Sequence, residues 1–61
     1  MNQKKGKKLK VLIVDQVGAN RQVVKSILEP YGHQVVEAFD GHDAVTRMTQ
    51  DVDVALVDTM M

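Results

Sequence analysis

Apolar residues along the chain form three short runs rich in valine, separated by two segments with a helical period. The runs lie at 10–14, 34–39 and 54–57. Short continuous apolar runs of this kind are typical of strands that are buried on both faces of a parallel sheet. We therefore expect three strands, of which the first and third each end at an aspartate.

The segment between the first two runs predicts an amphipathic helix, because its apolar residues recur on one helical face. Asn20 is a candidate cap for its first turn. Pro30 and Gly32 predict that the helix ends near 29–31. The side chains expected to face inward are Val23, Val24, Ile27, Leu28 and Tyr31.

A second helix is predicted over 42–50, after the turn signal of Asp40 and Gly41. Its expected inward residues are Ala44, Val45 and Met48. Strands that alternate with helices favour an α/β fold, in which right-handed crossovers connect the strands of a parallel sheet. We expect the element order β-α-β-α-β.

Composition excludes several classes of protein. The chain has 61 residues, so it is not multidomain, and a domain of about 60 residues has a marginal core. It has no cysteine, which excludes disulfides and thiolate zinc sites. No apolar run approaches the roughly 20 residues of a membrane-spanning helix, and none resembles a signal peptide. We expect a soluble cytoplasmic protein without a membrane partner.

The net charge of zero hides an asymmetry between the start of the chain and the rest. Residues 1–10 contain five lysines and no acid, whereas the remainder has a net charge of −5. We expect residues 1–8 to be a disordered basic tail. Only this tail offers a weak possibility of nucleic-acid binding, since no aromatic residue is interleaved with the lysines.

Asp15 and Asp58 directly follow the first and third apolar runs. If the strand order is 2-1-3, these runs are neighbours about 4.8 Å apart and both aspartates lie at one edge of the sheet. Two carboxylates at that distance repel each other unless a cation joins them, and Mg²⁺ is the cation that such a pair suits. A carboxylate beside Mg²⁺ can also attack phosphorus. Alternatively, each aspartate is only a loop or cap residue.

Five segments, in this order and at these separations, resemble the first half of a two-component receiver domain, as found in response regulators and hybrid histidine kinases. They are Lys10–Asp15 (KVLIVD), Asn20–Arg21, Leu28–His33 (LEPYGH), Ala38–Gly41 (AFDG) and Asp53–Met61 (DVALVDTMM). The resemblance covers residues 9–61. It implies a truncated flavodoxin-like parallel sheet with strand order 2-1-3, the first three strands of the family's order 2-1-3-4-5.

The resemblance also implies roles for individual residues. Asp58 matches the aspartate that accepts a phosphoryl group from the phosphohistidine of a histidine kinase or a phosphotransfer protein. Asp15 and the backbone carbonyl of Met60 match ligands of Mg²⁺. Gln16 stands where the family usually has a second acid, and an amide is a weaker ligand for Mg²⁺ than a carboxylate.

Three functions therefore stay open at this point. The first is a phosphorelay module that accepts a phosphoryl group on Asp58. The second is a non-phosphorylated pseudo-receiver that binds proteins, which Gln16 favours, and the third is an inert fragment. The family's fourth and fifth strands, with their Thr/Ser hydroxyl and lysine, have no counterpart here, so activity as a stand-alone enzyme is uncertain. The apolar edge of Val54–Val57 predicts a homodimer or aggregation.

Four further polar side chains are interpreted as having no special role. His33 and His42 have no neighbouring ligands in the sequence that would make a metal site, so we expect both at the surface. Arg21 and Lys25 are expected to be solvated on the outer face of the first helix.

Overall fold

The computed structural model of the chain describes residues 7–48 and 51–58. Its strands form one parallel sheet with the order β2-β1-β3, which confirms the predicted α/β fold and strand order. The elements are β1 (Lys10–Val14), α1 (Gly18–Leu28), a short 3-10 turn (Glu29–Tyr31), β2 (Gln34–Ala38), α2 (Gly41–Arg47) and β3 (Val54–Val57).

The central strand β1 forms the core. Val11 to Val14 are at most 3 % exposed, because β1 has a strand on each side and a helix over each face. Towards α2, the core consists of Leu12, Val14 and Ala38, with Val36, Ala44 and Val52 packed against it. Towards α1, Ile13 and Leu56 are register partners that lie beside Val24.

The third strand is not buried, contrary to the prediction. All four residues of β3 are exposed, with Leu56 at 46 % and Val57 at 56 %. Both helices pack mainly over β1 and β2, and no strand lies along the outer edge of β3 among residues 7–48 and 51–58. Backbone pairing with β1 therefore fixes the position of β3 without burying its side chains.

The apolar face of α1 is only partly covered. Val24 and Leu28 are half-buried, as expected, whereas Val23, Ile27 and Tyr31 are exposed, so the prediction of five inward residues was wrong for three. The helix connects β1 to β2 and packs over these two strands, where Glu37 of β2 forms ion pairs with Arg21 and Lys25. The side of α1 that carries Val23 and Ile27 is therefore left uncovered.

The helix starts also differ from the predicted ones. α1 begins at Gly18 after Val17, which has no capping side chain, and Asn20 lies inside the helix. α2 begins at Gly41, where the Asp40 carboxylate accepts a hydrogen bond from the Asp43 amide at 2.8 Å. Asp43 in turn accepts one from the Phe39 amide at 3.2 Å, so two free amides at the start of the helix are satisfied.

The second helix buries less than its pattern predicts. Ala44 is half-buried against the core, but Val45 and Met48 are 70 % and 56 % exposed. The predicted end of this helix at Gln50 and most of the predicted tail, residues 1–6, lie outside the described residues. Within the described part of the chain, no helix is long and apolar enough to cross a membrane.

Candidate functional site

The two aspartates lie at the same edge of the sheet. Val14 and Val57 are register partners, and Asp15 and Asp58 are the next residues of their strands. The Asp58 amide donates to the Val14 carbonyl at 3.0 Å, and the Asp15 amide donates to the Ala38 carbonyl at 3.1 Å. Adjacent strands are about 4.8 Å apart, so the strand pairing brings both carboxylates to one place, as the sequence predicts.

Asp15 is the only buried charged residue among those described, at 8 % exposure. Its Oδ1 accepts a hydrogen bond from the Val17 amide at 2.8 Å and a longer one from the Asn20 side-chain amide at 3.4 Å. A buried carboxylate is stable only with such partners. Both bonds go to Oδ1, which fixes the side chain and leaves Oδ2 as the oxygen that can take a ligand.

Arg21 connects this loop to β2. Its Nη1 donates to the Asp15 carbonyl at 2.6 Å, and its Nε donates to Glu37 Oε1 at 2.9 Å. Gly18 lies against the guanidinium, since a Cβ there would be 3.3 Å from Nη2. The side chain of Arg21 is only 19 % exposed, so the prediction of a solvated arginine was wrong. Arg21 holds the backbone of Asp15 rather than facing solvent.

Glu37 is a neighbour of this loop that was not predicted from the sequence. The hydrogen bond from Arg21 holds the pKa of the Glu37 carboxyl below its usual value of 4.5, and Lys25, 3.4 Å from Oε2, lowers it further against the effect of burial. Lys25 is therefore also paired rather than solvated. A single acid in the apolar run of β2, opposite two cations four residues apart on α1, is the sequence signal that could have identified this cluster.

A cavity of about 190 Å³ lies below the two aspartates. It is mostly apolar, and the carboxylates form part of its wall. The cavity can hold several water molecules, each of which occupies about 30 Å³ in the liquid. Its lining residues are Ile13, Val14, Asp15, Val24, Leu56, Val57 and Asp58.

The oxygen atoms at this edge of the sheet would suit a hard divalent cation, and they are few enough that the site would bind it with modest affinity. Mg²⁺ is commonly held by one or two carboxylates, with water and phosphate oxygens in its other positions, and Asp15 and Asp58 supply two. Gln16 is exposed next to Asp15 and offers only an amide. Met60, the other predicted ligand, lies outside the described residues. Within residues 7–48 and 51–58, no group of three or more acidic, histidine or cysteine side chains gathers around one point.

Neither histidine belongs to this site. His42 is exposed in the first turn of α2, as predicted. His33 is half-buried, and its Nδ1 accepts a hydrogen bond from the Leu9 amide at 3.1 Å. This bond secures the start of β1 at the opposite edge of the sheet.

Comparison with known proteins leaves the family of this chain open. No family model, no curated protein and no solved structure matches it. The functional interpretation therefore rests on the aspartate pair, on the contacts that hold it and on the resemblance of the sequence segments.

Proposed function

We propose that this chain is a receiver-type module of a phosphorelay, which accepts a phosphoryl group on Asp58 from the phosphohistidine of a histidine kinase or a phosphotransfer protein. The observation that carries the proposal is the juxtaposition of Asp15 and Asp58 at the carboxyl edge of two paired strands. In open parallel sheets, ligands bind outside this edge. The strand order 2-1-3 also fits the first three strands of a flavodoxin-like sheet, the fold we propose for this module.

In the proposed reaction, a carboxylate oxygen of Asp58 attacks the phosphorus of the phosphohistidine. A P–O bond forms as the P–N bond breaks, and the imidazole leaves with the electron pair and takes a proton from water. Mg²⁺, when bound, neutralises charge on the phosphoryl oxygens. Asp15 and Asp58 would hold the ion, with the amide of Gln16 as a weaker neighbour.

The contacts around Asp15 are compatible with a binding role, because they hold the side chain through only one of its oxygens. A capping aspartate uses its carboxylate to satisfy amides at the start of a helix. Asp15 uses Oδ1 on the Val17 amide, two residues ahead and before α1 begins, as in an Asx turn, while its Oδ2 accepts no hydrogen bond from the described residues. The clamp of Arg21 on the Asp15 carbonyl adds rigidity that a ligand site needs.

Labelling by a small phosphoramidate donor tests the proposal. With Mg²⁺ present, we expect the chain to gain one acid-stable but hydroxylamine-sensitive phosphoryl group, detected by mass spectrometry. D58N should abolish this label. D53N is the matched control, because Asp53 also flanks β3 but lies at its other end. Equal labelling of D58N and the unmodified chain, or no labelling of the unmodified chain, would refute the proposal.

A second candidate, a pseudo-receiver that binds proteins without being phosphorylated, is favoured by one observation. Gln16 occupies the exposed position next to Asp15, where a second acid would strengthen the metal site. Under this alternative, the chain takes no label from the donor, and D58N binds partners as well as the unmodified chain does. The labelling experiment therefore separates the two candidates.

A further inference from the structure

The guanidinium group of Arg21 lies next to the candidate cation site but does not pair with the carboxylate of Asp15. Its Nη1 donates to the Asp15 carbonyl at 2.6 Å, and its Nε donates to Glu37 Oε1 at 2.9 Å. Its Nη2 lies against Gly18, where a Cβ would be 3.3 Å away. Within the part of the chain that the structure describes, no ion pair joins Arg21 to Asp15. The arginine is therefore held on the backbone of Asp15 and away from its side chain.

The Asp15 carboxylate would be an attractive partner for this arginine. It is only 8 % exposed, and its Oδ1 accepts hydrogen bonds from neutral groups, the Val17 amide and the Asn20 side chain. Its Oδ2 accepts none from residues 7–48 and 51–58. A buried carboxylate with a guanidinium in reach gains a strong charge-assisted hydrogen bond by pairing with it. The competing carboxylate of Glu37 explains why Arg21 does not form that pair.

Glu37 is well placed to hold the arginine. It is the register partner of Ile13 on β1, and the next residue, Ala38, accepts the hydrogen bond of the Asp15 amide at 3.1 Å. Strand β2 therefore holds Asp15 on both sides, through its amide directly and through its carbonyl by way of Arg21. The two side chains of the ion pair are only 19 % and 27 % exposed, so water weakens their attraction less than at an open surface.

We propose that Glu37 is a positioning residue of the candidate cation site, which keeps the Arg21 guanidinium on the Asp15 backbone and thereby leaves the Asp15 carboxylate open to a divalent cation. The inference rests on the proposed function, because it assigns Glu37 a role at the cation site of that function. Without the charge of Glu37, the guanidinium turns to Oδ2 of Asp15 and occupies the oxygen that the cation needs. Glu37 also cancels a positive charge that would repel the cation.

Lys25 provides a matched comparison for this role. Its Nζ is 3.4 Å from Glu37 Oε2, and this is its only side-chain hydrogen bond among the described residues. Lys25 therefore shares the carboxylate with Arg21 but does not connect it to Asp15. Removing Lys25 leaves the contact between Arg21 and Glu37 in place, so the cation site should keep its affinity.

Titration of Mg²⁺ followed by amide NMR tests the proposal in the unmodified chain, E37Q, E37M and K25M. We expect E37Q to weaken Mg²⁺ binding at least about fivefold. Its amide oxygen can still accept a hydrogen bond from Arg21, which helps the variant to fold, whereas E37M removes both the charge and the acceptor and should weaken binding further. K25M should bind Mg²⁺ as the unmodified chain does. Unchanged affinity in both Glu37 variants, or an equal loss in K25M, would overturn the proposal.

A double variant separates this role from a purely structural one. In the background R21M there is no guanidinium to block the carboxylate, so the loss of affinity caused by E37Q should disappear. A structural role of Glu37 within β2 does not depend on Arg21. A loss of the same size in R21M/E37Q relative to R21M would therefore contradict the proposal.

A measurement without Mg²⁺ keeps the proposal separate from the proposed function. In E37M, the ¹³C signal of the Asp15 carboxyl group should shift because the guanidinium pairs with it, whereas K25M and R21M/E37M should show no such pairing. If the unmodified chain binds no Mg²⁺, the cation site of the proposed function fails, but this signal still decides whether Glu37 keeps Arg21 off the carboxylate. An Asp15 signal that does not change in E37M would refute that role.

Discussion

The two strands that flank β1 differ sharply in burial, although both pair with β1 in parallel. On the β2 flank, two helices cover the sheet, Ala38 is 1 % exposed and Glu37 is tied to Arg21 and Lys25. On the β3 flank, every residue of the strand is exposed. Backbone pairing alone therefore does not decide burial in this chain. The first helix covers the β2 flank because it connects β1 to β2, and the ion pairs of Glu37 reinforce that position.

The two aspartates of the candidate site differ in the same way as the strands that carry them. Asp15 lies at the end of the covered central strand, and the Val17 amide, Asn20 and Arg21 hold its side chain and backbone. Asp58 ends the exposed strand and is half-buried. Because Asp15 is buried and Asp58 is half-buried, we infer that Asp15 is the fixed half of the site and Asp58 the more accessible half.

The largest expected effect on stability is that of truncating a side chain of β1, compared with truncating one of β3. Leu12 is fully buried, so L12A should lower the free energy of unfolding by about 2–5 kcal/mol, enough to unfold a chain of this size. L56A removes a side chain that is 46 % exposed and should cost less than about 1 kcal/mol in the monomer. Urea unfolding of dilute protein, followed by circular dichroism, measures both. Equal losses would show that β3 is buried after all.

Removing the ion pairs between α1 and β2 should give the next largest loss of stability. R21Q removes two charge-assisted hydrogen bonds from a half-buried site and should cost about 1–3 kcal/mol. It should also accelerate hydrogen exchange at the Val17 amide, because the loop that carries Asp15 loses its clamp. R47Q is the matched control. Its partner Asp43 lies four residues away on the same helix, so R47Q should cost less than about 0.5 kcal/mol. Similar losses for the two variants would argue against the clamp.

The sequence predicted the strands and the position of the two aspartates, but not the orientation of α1. Apolar runs and turn signals located the strands, and the positions of Asp15 and Asp58 at strand ends predicted their meeting. The rotation of α1 about its axis could not be predicted from periodicity, because Val23 and Val24 both fit an apolar face. In the structure Val24 is half-buried and Val23 is exposed, and the ion pair of Arg21 with Glu37 that accompanies this rotation depends on a strand register that no local pattern reveals.

A change at the end of β1 should strengthen the fixed half of the site. Q16D adds a carboxylate next to Asp15, and affinity for a hard cation rises with the number of charged ligands. We expect Mg²⁺ to bind about tenfold more tightly, a difference of about 1.4 kcal/mol. Titration of Mg²⁺ followed by NMR measures it. The adjacent V17D serves as a control for added charge outside the predicted ligand position. An unchanged affinity in Q16D would contradict the assignment of this edge as a cation site.

The pH dependence of stability should have the smallest effect. The pKa of Glu37 is lowered in the folded chain, chiefly by the hydrogen bond from Arg21, so its ionised form stabilises the fold. This contribution is fully present above the usual value of 4.5 and is lost as the pH falls through the lowered pKa. E37Q should therefore flatten the loss of stability as the pH falls below 4.5. If the melting temperature of E37Q falls with pH as steeply as that of the unmodified chain, Glu37 does not contribute to the acid sensitivity of the fold.

The central claim is that the fixed Asp15 and the accessible Asp58 form one site for a cation and a phosphoryl group. An amide NMR spectrum, recorded before and after addition of Mg²⁺ with beryllofluoride, tests this most directly, because beryllofluoride on a carboxylate mimics an acyl phosphate. We expect shifts at the amides of Asp15, Val17 and Asp58, little change at the distant Leu9 amide, and no shifts in D58N. A spectrum that ignores the additive, or one that shifts equally in D58N, would contradict the claim.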